Sequence, residues 1–131
     1  MRLAGVAILM VLLSGNAFAD DVIVEKADVE YQGDDKFDFS ITLRHNDSGW
    51  DHYANKCEVL DADGKVLGTL TFVHPHEDEQ PFTRTLSGVS VPKGLKRVTL
   101  RAHDNKHGES KLVLSIDLPD RIRKSWWSRW W

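Results

Sequence analysis

The chain has 131 residues, a formal net charge of −3 and one cysteine, Cys57. That length suits a single domain able to bury a core without staples, and a lone cysteine excludes an internal disulfide. Between Asp20 and Pro119, 19 acidic residues stand against 12 basic ones, which argues against nucleic acid as a partner. No phosphate loop, nucleotide fingerprint or nucleophile triad is present.

The first 19 residues read as a signal peptide. Arg2 gives a positive start, Leu3 to Leu13 is apolar, and Ala17-Phe18-Ala19 has the small-x-small pattern of a cleavage site before Asp20. The apolar run is shorter than the roughly 20 residues a membrane span needs. The expected address is the periplasm, with residues 20–119 as the folded domain and 120–131 as a tail.

The domain reads as strands throughout. Val22–Tyr31 alternates, but its apolar phase slips between Val24 and Ala27, which predicts a bulge. Phe37, Phe39, Ile41 and Leu43 share one phase, and His45 continues it inward. Cys57 alternates with Val59 and is expected in the core. Val66, Leu70 and Phe72 with Gly68, then Val98, Leu100 and Ala102, then Leu112, Leu114, Ile116 and Leu118, form further sets. Compact polar turns at Gly33-Asp34-Asp35, Asp63-Gly64 and Pro92-Lys93-Gly94 separate them. About seven short antiparallel strands at this spacing predict an all-β sandwich of immunoglobulin or fibronectin type.

Consecutive antiparallel strands alternate direction, so their connections alternate between the two ends of a sandwich. The three compact turns then share one end, and Arg44–Asn55, Val73–Pro81 and Ala102–Lys111 share the other. All six histidines lie in or beside those three connections. Imidazole is the commonest protein ligand for transition metals, so the convergence defines a candidate site. The expected ligands are some subset of His52, His74, His76, His103 and His107, with Glu79 or Asp104 as carboxylate partner. The ion would be divalent copper, zinc, nickel or iron. In an extended segment His74 and His76 point to opposite sides, so one can bind while the other packs. Arg84 shares the phase of Phe82 and Leu86 and is expected to pair with a loop carboxylate; His45 and Arg84 are candidate supporting or ligand-contacting residues.

The order of Asp51-His52-Tyr53, Glu58-Val59-Leu60, Leu67-Gly68, Phe72 and Asp104-Asn105-Lys106-His107-Gly108 resembles the desulfoferrodoxin and neelaredoxin superoxide-reductase domain. In that family an immunoglobulin-like sandwich binds iron through loop histidines and a Cys-Asn-x-His-Gly segment. The resemblance implies a loop metal site here, with Asp104 in place of the thiolate ligand. The stretch from Pro75-His76 to Gln80-Pro81-Phe82-Thr83-Arg84 also resembles an uncharacterised family of small exported proteobacterial proteins, which implies no activity.

The tail places Trp126, Trp127, Trp130 and Trp131 among basic residues. Tryptophan favours the membrane interface and the cations reach anionic headgroups, so peripheral membrane contact is expected, against a disordered end or a tail folded onto the acidic body. Three function classes follow: a binding module for a metal or small ligand, which leads; a metal-dependent redox enzyme; and an adaptor for a periplasmic protein partner.

Overall fold

The computed structural model describes residues 21–123. The signal-peptide reading of residues 1–19 and the tryptophans of the tail, Trp126, Trp127, Trp130 and Trp131, lie outside them. Eight strands run β1 (Ile23–Gly33), β2 (Lys36–Arg44), β3 (Ala54–Leu60), β4 (Val66–Thr71), β5 (Phe82–Ser90), β6 (Arg97–Asp104), β7 (Gly108–Glu109) and β8 (Leu114–Asp117). They form two antiparallel sheets, β1-β2-β5 and β4-β3-β6-β7, with β8 also paired to β6. The chain is an all-β sandwich.

Strict alternation along β2 and β6 builds the core between the sheets. Phe39, Ile41, Leu43, Cys57, Val59, Leu100 and Ala102 are fully buried, and His45 continues the inward row past the end of β2. Burial pushes the Cys57 thiol up to about 12, so it packs as a small apolar group. The phase slip in the first strand is a bulge between Val24 and Lys26. A second bulge, between Val59 and Leu60 opposite Gly68 and Val66, turns Leu67 toward the core and leaves Val66 exposed. Gly68 marks a close approach of the sheets: a Cβ there would lie 3.1 Å from Val89 Cγ2 and 3.2 Å from Leu86 Cδ2.

The last predicted strand is shorter than its alternation suggested. Leu114–Asp117 pairs with β6, whereas Leu112 precedes the ladder and is exposed. The first turn has its expected form. Asp34 and Asp35 both adopt left-handed backbone (φ 53° and 62°) between the paired Gly33 and Lys36, as a two-residue hairpin of this hand requires. Its neighbour is the Pro92 turn: the Val91 amide donates to Asp35 O, and Arg121 bridges Asp35 Oδ1 (2.7 Å) and Pro92 O (2.9 Å). The three histidine-bearing connections gather at the other end of the sheets, where β1 begins opposite Arg44.

Candidate metal centre

Parity along β2 and β6 determines what enters the site. His45 and Asp47 follow Leu43 at the same two-residue step, and Asp104 follows Ala102, so all three side chains point between the sheets with no more than 1% exposure. His45 Nδ1 donates to Asp47 Oδ1 at 2.5 Å, since a carboxylate oxygen only accepts. With Nδ1 as the donor, the other ring nitrogen, Nε2, faces Asp104 Oδ2 at 3.3 Å.

Two further imidazoles reach the same oxygen. His52 Nε2 is 3.3 Å from Asp104 Oδ2 and His107 Nδ1 is 3.0 Å from it. The ligand atoms of His45, His52 and Asp104 all lie within 4.8 Å of one another. The ring of His52 meets both His45 (centroids 4.7 Å) and His107 (4.8 Å) edge-on. Donors around a tetrahedral ion with bonds of about 2.0 Å sit about 3.3 Å apart, and each of the three nitrogen-to-Asp104 Oδ2 distances is near that value. The centre opens to solvent past His52, 13% exposed, and His107, 39% exposed.

The carboxylates are held from the backbone. Asp104 Oδ1 accepts from the amides of Lys106 (2.9 Å) and His107, closing the Asn105–His107 turn. Burial opposes ionisation of Asp104, but those amides and the His107 ring outweigh it and hold the carboxyl below its usual range. Asp47 accepts from the amides of Ala54 (3.1 Å) and His76 (2.7 Å) besides His45, tying the first loop to the middle one. Gln80 adds a second tie, accepting from the His45 amide and donating to His76 O, both at 2.9 Å. Asn105 secures the first loop to the last, accepting from the Tyr53 amide and donating to Trp50 O.

Of the expected ligands, His52, His107 and Asp104 are thus brought together, and His45, read from the sequence as a supporting or ligand-contacting residue, stands beside them. The others are placed elsewhere. His103 lies on the opposite face of β6, where its Nε2 meets Glu58 Oε1 at 2.6 Å beside Arg101. Burial raises the Glu58 carboxyl, but His103 and Arg101 pull it below its ordinary value. His76 is 3% exposed at its side chain, stacked on Phe82 at 4.0 Å, with Nδ1 3.9 Å from Asp47 Oδ2. Burial, helped by His74 and Arg84, lowers its basicity. His74 is exposed and tilted over His76 at 4.6 Å. Glu79 is not a member of the centre: it is exposed and pairs with Arg84 Nη2 at 2.8 Å, the loop carboxylate expected for that arginine.

Asp47 was missed by the sequence reading: it lies three residues past the end of β2, where parity is only a weak guide. Asp47 and Asp104 are thus two buried carboxylates flanking the His45 ring, each held by backbone amides and imidazoles.

No family model matches the chain, and no solved structure matches it. A protein of Halomicrobium mukohataei, described as "Putative lipoprotein", is 38% identical over 80 residues, which is 61% of this chain. The match spans 39% of that relative's length.

Proposed function

We propose that this is an exported binding module whose histidine end holds one divalent transition metal, with His45, His52 and Asp104 as ligands and His107 completing the set. The observation that carries the reading is the convergence of three imidazole nitrogens, at 3.0 to 3.3 Å, on the single oxygen Asp104 Oδ2. Three nitrogens and one carboxylate oxygen suit zinc, copper, nickel or ferrous iron, and a dication offsets the charge of Asp47 and Asp104. The lipoprotein description of the Halomicrobium relative supports export to the cell envelope.

Titration calorimetry of tag-free protein with the four ions tests it. The expected result is affinity tighter than about 10 μM for at least one ion, falling in acid as protons compete for the imidazoles. His52→Ala with His107→Ala should weaken it at least about tenfold, and His103→Ala should leave it unchanged. Affinity no better than about 1 mM for every ion would leave the cluster as a polar network that only pins the loops.

A redox role of the superoxide-reductase kind is the second reading. It is favoured by the turn of both Asp104 and His107 into one site, as the resemblance of Asp104-Asn105-Lys106-His107-Gly108 implies. Oxidation of ferrous-loaded protein by superoxide, followed by absorbance, tests it.

A further inference from the structure

Beside the proposed centre lies a separate cleft of about 180 Å³, bounded by Leu70, Phe72, His74, His76, Arg84 and Thr85. Among the described residues its lining holds no carboxylate, and Glu79 reaches only the Arg84 guanidinium. Its charged group is the Arg84 guanidinium, placed 5.7 Å over the Phe82 ring, and its apolar lining is Leu70, Phe72 and Val73. His76 forms one wall, its ring fixed by the Phe82 stack and its buried Nδ1 without a hydrogen-bond partner. A fixed cation at an apolar lining, with imidazoles beside it, is a recognition surface for an organic acid.

We propose that this cleft binds a small carboxylate with an apolar body, the acid on Arg84 and the body against Leu70 and Phe72. Glu79 already shows what Arg84 takes: its carboxylate lies 2.8 Å from Nη2, yet its side chain is 61% exposed. An exposed ion pair of this kind is weak, so an incoming acid displaces Glu79 at little cost. The volume is below that of sites for drug-sized ligands, which restricts the ligand to a small metabolite. The proposal stands apart from the metal reading, since no member of the metal centre lines the cleft.

The test is a titration of metal-stripped protein with benzoate and butyrate, read by the NMR signals of the His74 and His76 rings. Benzamide serves as the neutral control. A saturable shift with the acids and none with benzamide is expected. Arg84→Met should weaken binding about tenfold or more, as loss of a charge-assisted pair does. Glu79→Gln should tighten it by about three- to fivefold, because a competing carboxylate is gone. A merely structural Arg84–Glu79 pair predicts no tightening. Should Arg84→Met fail to fold, the Glu79→Gln comparison decides alone. Benzamide shifts as large as those of benzoate, no saturation by about 50 mM, or unchanged affinity in Glu79→Gln would each overturn the proposal.

Discussion

Replacing Asp47 by alanine exposes how the histidine end is held. The carboxylate accepts from three buried donors, His45 Nδ1 at 2.5 Å, Ala54 N at 3.1 Å and His76 N at 2.7 Å, and its side chain is wholly buried. Each donor left without a partner costs about 1–3 kcal/mol, and neighbouring losses do not add fully, so Asp47→Ala should destabilise by about 4 kcal/mol. That is a large share of the roughly 5–15 kcal/mol that holds a domain of this size. Asp47→Asn keeps one carbonyl oxygen but turns an amide group on a donor, and about half the loss is expected. Urea unfolding followed by far-ultraviolet circular dichroism measures both. The same change releases the His45 ring from its tautomer, so metal affinity should drop about 10- to 100-fold in whichever variant stays folded. A loss below about 1 kcal/mol at unchanged urea slope would refute the reasoning, because the three donors would then have found water.

Two further outcomes follow from the same geometry. The folded protein resists protonating His76, whereas the unfolded chain takes up that proton below its ordinary value of 6.5. The His76 contribution is therefore intact above that pH and declines as pH falls through 6.5 toward the folded value, so His76→Gln should flatten the stability slope between about pH 7 and 5.5. Asp104 and Glu58, both held low in the fold, add a separate loss as pH falls below their ordinary 3.8 and 4.5. Gly68→Ala inserts a methyl group 3.1 Å from Val89 and 3.2 Å from Leu86, and should lower stability by about 1–3 kcal/mol in the same urea assay. An unchanged midpoint would show that the sheets can part at that edge.

The two-residue period explains both what the sequence disclosed and where its reading went astray. Phe37, Phe39, Ile41, Leu43 and His45 could be assigned to the inner face because alternate residues there share one side, and the gathering of three loops follows from strand direction alone. The same parity should have removed His103. Ala102 and Asp104 are inward, so the residue between them must face out, where it found Glu58. Spacing within an irregular loop carries no such rule. His74, His76 and Glu79 were among the expected ligands, but the path of the loop sends His76 into a stack on Phe82 and Glu79 to Arg84. Bulges are equally local: the one in β4 exchanges the roles of Val66 and Leu67.

Asp21 accepts from the Lys111 amide, so the chain comes into the sandwich beside the histidine loops, whereas Arg121 ties its departure to the hairpin turns at the far end. The two ends of the described segment therefore lie at opposite ends of the sandwich. A leash at the front would hold the centre close to whatever surface it is fastened to, and contact through the rear would aim it outward. The asymmetry also governs handling in the laboratory: a polyhistidine label joined directly ahead of Asp21 would hang over the candidate ligands and offer rival imidazoles.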